Sequence, residues 1–247
     1  MTSAPSISSI NILKHVSVAT LATALYRRGL RNQVIQNVRP VRTHHGVPAT
    51  NTPNMVGPAF TLRYIPARED RNQLEEFKNP NHPQRQAIEQ CPEGHVMVMD
   101  SRKDARAASA GEILITRLMM RGGAGVVTDG GFRDSDKIAA LTIPAYHQRP
   151  SSPTNLTLHE AYDINVPIGC GDVAVFPGDI LVGDNDAVIV IPAALTDEIA
   201  LEAQEMTVFE DFVQEEVERG KTIIGLYPCT LEENKTAFEA WRKKHNR

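Results

Sequence analysis

The sequence predicts an α/β fold in a single domain that spans residues 1–247. Three observations support this prediction. Between Phe60 and His147, short apolar runs alternate with helix-like stretches, a pattern typical of a mainly parallel sheet with right-handed crossovers. Between Ile164 and Ile191, short runs of Val and Ile are separated by Gly and Asp turns, which predicts a β-rich half. An amphipathic stretch from Thr196 to Gly220 predicts a long closing helix.

The composition limits the class of protein. Hydrophobic residues make up 41% of the chain, enough for a sizeable core, and the formal net charge of −4 with dispersed Lys and Arg argues against a nucleic-acid groove. Three widely spaced cysteines predict reduced thiols rather than a disulfide framework. No stretch resembles a membrane helix or a signal peptide. We therefore expect a cytoplasmic protein whose partners include neither nucleic acid nor membrane.

The first third of the chain is predicted to contain a helix, an irregular segment and a strand. The stretch 18–30 is amphipathic and predicts a helix, and the alternation at 60–65 predicts a strand. Between them, His44 and His45 are interpreted as a solvated pair rather than as metal ligands. The charged, Asn-rich stretch 66–83 predicts a loop insertion. It either covers a neighbouring active site or subunit or is a plain solvated excursion, and the latter is the default interpretation.

The next strand ends in an acidic residue. A short helix is predicted first, and residues 95–100 then predict a strongly apolar strand. Asp100, at the carboxyl end of this strand, faces the same crevice as Asp129 if their two strands are parallel neighbours. Lys103 and Arg106 follow in the loop. Either side chain could assist an anionic substrate, although ordinary surface charge is the favoured interpretation.

The chain is organised around the stretch from Gly111 to Asp134. Gly111 and Glu112 open a predicted helix, whose first amide N–H groups have no intrahelical acceptor and can hold a carboxylate or a phosphate. After two glycines, residues 124–128 predict a short buried strand. A glycine loop leaves that strand at its carboxyl end, where ligands collect in open α/β sheets.

Arg133 and Asp134 follow that loop as neighbours. Arginine offers a planar fork of donors to a carboxylate or an oxyanion, and aspartate is a hard oxygen ligand for a divalent cation. Together they could place a metal and a positive fork on one small acid, with Glu112 as a third corner. The alternative is a solvated helix cap, and the spacing alone favours that alternative.

A second polar loop follows a predicted helix at 135–141 and a predicted strand at 145–147. Gln148, Arg149 and Asn155 lie in this loop and either read the far end of a substrate or form a structural corner. The β-rich half adds four aspartates that we interpret as turn formers because their spacing does not match a calcium loop: Asp172, Asp179, Asp184 and Asp186.

The combined pattern resembles the RraA-like family. Its parts are an acid at position 112, twenty intervening residues, the Arg133-Asp134 pair, and the flanking segments 55–61 and 175–179. The family includes the class II 4-hydroxy-4-methyl-2-oxoglutarate/4-carboxy-4-hydroxy-2-oxoadipate aldolases, whose motif is the most similar, and the protein regulators of ribonuclease activity. The resemblance extends from about Ser17 to about Pro228 and implies a swivelling β/β/α sandwich that assembles as a homotrimer or homohexamer.

The resemblance also implies a role for each site residue. Asp134 would bind Mg²⁺ or Mn²⁺ largely through waters, and Arg133 would contact the keto oxygen of the substrate and stabilise the enolate. The backbone amides after Gly111, around Ile113 and Leu114, would hold the pyruvyl carboxylate. Glu112 would position the water that protonates the enolate. The aldolases typically carry aspartate at this acid position, so Glu112 departs from the pattern by one methylene.

The function implied is that of a metal-dependent lyase, which cleaves a 4-hydroxy-2-oxo acid, releases pyruvate, and decarboxylates oxaloacetate as a side activity. No lysine stands at the motif to form a Schiff base. One alternative is another metal-enolate reaction on a diketo or keto-deoxy sugar acid. The other is a regulator without catalytic activity that binds a ribonuclease or a helicase. The presence of Asp134 favours the enzyme, because regulators that lack aldolase chemistry often lose this aspartate.

The C-terminal stretch 196–247 is predicted to be a helical extension of the domain. In the resembled aldolases, an acidic residue from this region of a neighbouring subunit enters the active site, and Glu205 and Glu210 are the candidates here. A solvated helix face is the alternative for both residues. The basic tail 235–247, with Trp241, either docks on another subunit or closes the fold.

Overall fold

A computed structural model of the protein describes residues 5–42 and 53–247. The pair His44-His45 lies outside these ranges. Seven α-helices are described in these ranges: α1 (Ile7–Leu13), α2 (Val18–Arg27), α3 (Pro83–Gln90), α4 (Glu112–Met120), α5 (Ser135–Ala139), α6 (Thr196–Glu218) and α7 (Glu232–His245).

The described strands are short except for one that runs through the centre of the sheet. They are β1 (Arg39–Pro40), β2 (Met55–Pro66), β3 (Val96–Asp100), β4 (Ala108–Ala110), β5 (Gly125–Thr128), β6 (Gly131–Phe132), β7 (Ala145–His147), β8 (Arg149–Pro150), β9 (His159–Ile164), β10 (Ile168–Cys170), β11 (Val173–Val175), β12 (Ile180–Gly183) and β13 (Val188–Ile191).

The main sheet combines a parallel half with an antiparallel half. Its strand order is β1-β7-β5-β3-β2-β12-β13, and β9 also pairs with β2. Strands β2, β3, β5 and β7 are parallel to one another, whereas β12, β13 and β9 join antiparallel. The predicted α/β fold, with an N-terminal helix, a β-α-β-α-β core, a β-rich second half and a long closing helix, is confirmed.

The carboxyl ends of β3 and β5 lie side by side, because the two strands pair in parallel with Met99 opposite Thr128. Asp100 and Asp129 are the next residues, and both are buried. The condition on which they were expected to share a crevice, that their strands are parallel neighbours, is therefore met. A second, three-stranded sheet of β4, β6 and β8 begins beyond this edge, and its strands are also parallel.

Apolar side chains fill both faces of the main sheet. On one face, Leu62 and Met97 pack with Ile115 and Leu118 of α4 and with Phe132. Farther along the same face, α2 and α6 cover β12 and β13, and this cluster includes Leu21, Leu25, Ile180, Ile191 and Ile199. The opposite face carries a separate cluster that includes Val98, Val127, Leu181 and Val190. Helix α4 is thus fixed along its length, and its first turn lies at the edge of the sheet.

The stretch 66–83 packs against β9. It contains a short 3-10 turn at Leu74–Lys78, and Glu160 of β9 accepts hydrogen bonds from Arg71 and Asn72 at 3.0 Å each. Proline at the first position of α3 then starts the next helix. Whether the stretch also covers another subunit stays a prediction.

Helix α7 packs on α6 within the same chain. The ring of Trp241 lies 6.0 Å from that of Phe212, and its indole N–H donates to Glu215 at 3.1 Å. Arg242 pairs with Glu205 at 2.8 Å. Of the two alternatives for the basic tail, closure of the fold is the one that this packing supports. Among the helices in the described ranges, none is both long and apolar enough to cross a membrane.

Candidate active site

The pairing of β4 with β6 brings the two halves of the predicted motif together. Ala108 lies opposite Gly131 and Ala110 lies opposite Phe132. The backbone N–H of Arg133 also donates to the carbonyl of Ala110 at 3.0 Å. Since Gly111 follows Ala110 directly, the start of α4 and the Arg133-Asp134 pair become spatial neighbours, as the motif predicts.

Gly111 is needed at this contact for its lack of a side chain. A Cβ atom at position 111 would lie 2.7 Å from Cγ of Arg133 and 3.1 Å from Oδ2 of Asp134. Its backbone is extended, with φ −128° and ψ 178°, so space and not conformation demands glycine. Gly111 also provides no side chain to cap α4, which leaves the first amide N–H groups of the helix free to hold an anion.

Arg133 and Asp134 present their charged groups together at the surface. Nε of Arg133 lies 3.5 Å from Oδ2 of Asp134, and the two side chains are 48% and 41% exposed. Asp134 has φ 57°, in the left-handed region that few non-glycine residues adopt. Strain of this kind is concentrated at functional sites. The left-handed turn ends β6 and starts α5.

Glu112 has a partner that the sequence analysis missed. Its Oε2 accepts from Nζ of Lys137 on α5 at 3.3 Å. The only sequence signal for this lysine is its place three residues after Asp134, in the first turn of the next helix. Ile113, the next residue of α4, is 80% exposed, whereas Leu114 packs partly against the core. The first turn of α4 therefore offers one acid and one apolar side chain beside the Arg133 fork.

Asp129 anchors the loops beneath the site. It is buried, and its carboxylate accepts backbone N–H bonds from Ser101 at 2.7 Å, Lys103 at 3.1 Å and Gly171 at 3.1 Å. Burial raises its pKa to about 6, while these three donors act in the opposite direction. The pKa of Asp100 is also raised by burial. These two carboxyls hold loops together rather than facing solvent.

The three residues of the second polar loop that were candidates for contacting the substrate separate into two groups. Asn155 is buried and bonds Gln84 and the carbonyl of His159, so it forms the structural corner. Arg149 is exposed on β8, where it lies opposite Gly131. Gln148 lies beside the same loop, and its amide donates to the carbonyl of Asp129 at 3.5 Å.

Lys103 and Arg106 are both paired with acids close to them. Lys103 contacts Asp172 at 2.6 Å, and Arg106 contacts Asp104 at 2.6 Å. These pairs support their interpretation as surface charges. Asp172 adopts φ 66°, consistent with its interpretation as a turn former.

The two acids predicted to reach a neighbouring subunit have partners within their own chain. Glu205 pairs with Arg242. Glu210 accepts from the hydroxyl of Thr20 at 2.8 Å and from that of Tyr227 at 3.4 Å. Each acid would have to release its own partners before it could enter another subunit's site.

The residues at the site fit a divalent cation that keeps most of its water. Over residues 5–42 and 53–247, no group of three or more His, Cys, Asp or Glu side chains could hold a metal ion by itself. Asp134 offers a partly exposed carboxylate, a hard oxygen ligand. Mg²⁺ dehydrates reluctantly and is commonly held by one or two carboxylates together with waters and substrate. A single exposed carboxylate beside an anion-binding helix start suits that mode.

Comparison with known proteins identifies a family. Residues 18–190 match the sequence profile of the RraA-like family, described as Aldolase/RraA. A protein of Halalkalibacterium halodurans with the provisional name 4-hydroxy-4-methyl-2-oxoglutarate aldolase is 34% identical over 118 residues, or 48% of this chain and 56% of that protein. A protein of Ectopseudomonas mendocina with the same provisional name is 36% identical over 104 residues, or 42% of this chain and 64% of that protein. The chain thus spans less than two thirds of each relative.

Solved structures share the fold. An uncharacterised protein from Pseudomonas syringae pv. tomato superposes with a TM-score of 0.75 at 22% identity, over 91% of this chain and 99% of that one. Streptomyces coelicolor RraAS2, described as an unusual member of the RNase ES inhibitor RraA protein family, superposes with a TM-score of 0.72 at 25% identity, over 86% of this chain and 98% of that one.

Proposed function

Because this chain belongs to the RraA-like family, we propose that it is a divalent-metal-dependent lyase that cleaves a 4-hydroxy-2-oxo acid and releases pyruvate. One observation carries the proposal: the free helix start at Gly111 lies against both Arg133 and Asp134. An anion-binding backbone, a guanidinium fork and a hard oxygen ligand within one small site are what a 2-oxo acid requires. The provisional aldolase names of the relatives support the same reading.

Each residue has a task in this reaction. The amides at the start of α4 bind the carboxylate of the substrate and fix its orientation. The guanidinium of Arg133 donates to the keto oxygen, where negative charge develops as the C–C bond breaks and its electron pair becomes the pyruvyl enolate. A positioned donor of this kind is worth about 3 to 4 kcal/mol in other enzymes. Asp134 would hold Mg²⁺ or Mn²⁺, and the bound cation would supply Lewis-acid catalysis at the site.

Glu112 completes the proton transfers. The hydroxyl at C4 of the substrate must lose a proton as the bond to C3 breaks, and C3 of the enolate must gain one. Glu112, held by Lys137, orients a water between itself and the substrate. The first proton passes through this water to the Glu112 carboxylate, which returns it through the water to C3. Loss of CO₂ from oxaloacetate leaves the same enolate, so oxaloacetate decarboxylation is a side activity of the same residues.

The proposed enzyme is a cytoplasmic homo-oligomer, a trimer or a hexamer. Glu205 or Glu210 of a neighbouring subunit would enter each site after releasing its partner within the chain. Another metal-enolate reaction, on a diketo or keto-deoxy sugar acid, would use the same residues on a different substrate.

A second candidate is a regulator without catalytic activity that binds a ribonuclease or a helicase. The description of RraAS2 as belonging to the RNase ES inhibitor family favours this candidate. Asp134 and its contact with Arg133 count against it, since a regulator needs no ligand for a metal.

Pyruvate release separates the candidates. The wild-type protein is given oxaloacetate or 4-hydroxy-4-methyl-2-oxoglutarate with Mg²⁺, with Mn²⁺ or with EDTA. We expect release that either metal supports and EDTA abolishes. If neither substrate yields pyruvate in the presence of metal, the pyruvate-lyase proposal is contradicted. Release of another product from a keto-deoxy sugar acid would then support the substrate alternative, and capture of a ribonuclease without any turnover would support the regulator.

A further inference from the structure

The register of β4 shifts where this strand approaches the site. Ala108 pairs with Gly131 and Ala110 with Phe132, so two steps along β4 match one step along β6. Ser109 is therefore the extra residue of a β-bulge. Bulges of this kind re-aim the chain next to active sites. Here the bulge lies two residues before Gly111, and it sets how α4 enters the site relative to Arg133.

An extra residue in a bulge leaves its backbone groups outside the ladder, and a buried carbonyl must find donors elsewhere. The carbonyl of Ser109 accepts from the hydroxyl of Tyr64 at 2.7 Å and from the side-chain amide of Gln84 at 2.7 Å. All three residues are buried. Tyr64 comes from β2 and Gln84 from α3, so two separate elements meet on one carbonyl.

The side chain of Ser109 connects β4 to the loop that precedes Arg133. Its hydroxyl lies 2.6 Å from that of Ser101 and 2.6 Å from that of Thr128. The hydroxyl of Thr128 accepts from the N–H of Gly130 at 2.9 Å. Through Ser109, the strand that precedes Gly111 is thus tied to the glycine loop that precedes Arg133.

We propose that Tyr64 and Gln84 are positioning residues of the site, because together they hold the Ser109 bulge and so fix the start of α4 against Arg133 and Asp134. This inference rests on the proposed lyase function for its catalytic consequence, although its structural part does not. Both side chains are buried. They act through the carbonyl of Ser109, and Gln84 also connects the site to the end of the 66–83 insertion, since α3 follows that stretch.

Two conservative substitutions remove the two donors without changing the bulk of the side chains: Tyr64→Phe and Gln84→Met. The matched control is Tyr146→Phe. Tyr146 is likewise buried, and its hydroxyl likewise donates to a backbone carbonyl, that of Asp184, at 3.0 Å. The control thus loses the same kind of bond at a position outside the bulge.

The first readout is hydrogen exchange of the backbone amides at 107–115, measured well below the unfolding transition. Loss of one donor should speed exchange of these amides roughly tenfold in Tyr64→Phe and in Gln84→Met, because a buried bond of this kind resists local opening. The control should leave them unchanged. Equal exchange in the wild-type protein and both bulge variants overturns the proposal.

The second readout is turnover. In an active wild-type enzyme, the bulge variants should lose roughly ten- to hundredfold in kcat/KM, since small displacements of a positioned group cost that much. Mn²⁺ affinity, which depends on Asp134, should stay unchanged, and so should the activity of Tyr146→Phe. Wild-type turnover in both bulge variants contradicts a positioning role even if local exchange is faster. An inactive wild-type protein would contradict the lyase proposal instead, and hydrogen exchange alone would then decide whether Tyr64 and Gln84 hold the bulge.

Discussion

The contact between Gly111 and Arg133 limits which residue can stand at position 111. In Gly111→Ala, the new methyl group would lie 2.7 Å from Cγ of Arg133, so the guanidinium must move. We expect kcat/KM for pyruvate release to fall about tenfold or more, with a loss of about 1 to 3 kcal/mol in the free energy of unfolding. Gly169→Ala is the control, because no atom lies within 4 Å of its Cβ position. Equal activity in the two variants would show that Gly111 has no role in spacing.

The Glu112 carboxylate is the group whose role most needs a kinetic test. Glu112→Gln keeps the shape but cannot take or give a proton, so kcat should fall about a hundredfold while KM changes little. Lys137→Met removes the contact of 3.3 Å with Glu112 and should have a smaller effect. Steady-state kinetics of both variants on one substrate provides the comparison. A larger loss in Lys137→Met than in Glu112→Gln would assign the proton transfer elsewhere.

His147 makes stability depend on pH. It is buried on β7 and stacks on Phe132 with ring centroids 5.6 Å apart, and burial lowers its pKa to about 4. In the unfolded chain the imidazole of His147 takes up a proton near pH 6.5, whereas in the folded protein it does so only near pH 4. Protonation therefore favours the unfolded state between these two pH values, so stability is full above pH 6.5 and is lost as the pH falls toward 4. The full loss is about 3 kcal/mol. Asp129, with a raised pKa of about 6, acts in the opposite direction, since the folded state takes up its proton first on acidification.

Urea unfolding of the wild-type protein and His147→Gln at pH 7 and pH 4.5 measures this contribution. The difference in unfolding free energy between the two proteins should shrink or reverse at the lower pH, because the variant has no buried imidazole to charge. His95→Gln, at a partly exposed position, should follow the wild-type protein. A pH dependence identical in the wild-type protein and His147→Gln would contradict this account.

At the scale of single residues, the sequence alone was sufficient to predict which residues of a continuous motif share a site. Gly111, Glu112, Arg133 and Asp134 were predicted to share one site, and the structure brings them together. Lys137 and the Ser109 bulge were not predicted. Their importance depends on which strands pair and in which register, and a run of small residues at 107–111 carries little information about either.

The helices and longer strands follow from local patterns. Helix α2 starts at Val18, after Ser17 accepts the N–H of Thr20, and α6 spans Thr196–Glu218, close to the predicted bounds. Strand β4 was missed because Ala108, Ser109 and Ala110 lack the β-branched side chains that mark strands. Strand β2 is longer than predicted, since Met55–Pro58 pairs with β12 from a distant part of the sequence.

The packing of α7 on α6 allows the contribution of apolar burial to stability to be compared with that of a surface ion pair. Trp241 is buried among Phe212 and Leu226, so Trp241→Ala should cost about 3 to 5 kcal/mol of unfolding free energy. Arg242→Ala breaks a pair whose side chains are 35% and 59% exposed, and it should cost no more than about 1 kcal/mol. Chemical denaturation of both variants tests the difference. Similar losses would mean that charge contributes as much as burial to holding α7.

At the scale of the whole molecule, the family match and the extension are distinct parts of the sequence. The match covers residues 18–190, which includes the sheet and the site, whereas α6 and α7 lie beyond it. The candidate neighbour-subunit acids are in that extension and are engaged by Arg242, Thr20 and Tyr227. One part of the proposal therefore depends least on the shared fold: that subunits assemble, and that these acids exchange their partners within the chain for a site on a neighbouring subunit.

The central claim is that Arg133 and Asp134 act together on a 2-oxo acid. The most direct test is Mg²⁺-dependent pyruvate release from oxaloacetate by Arg133→Ala and Asp134→Ala, with Arg117→Ala and Asp70→Ala as charge-matched surface controls. Arg133→Ala should lose about 10² to 10³ in kcat, and Asp134→Ala should lose its response to metal. Both controls should keep wild-type rates. Metal-dependent release that survives in both site variants would contradict the claim.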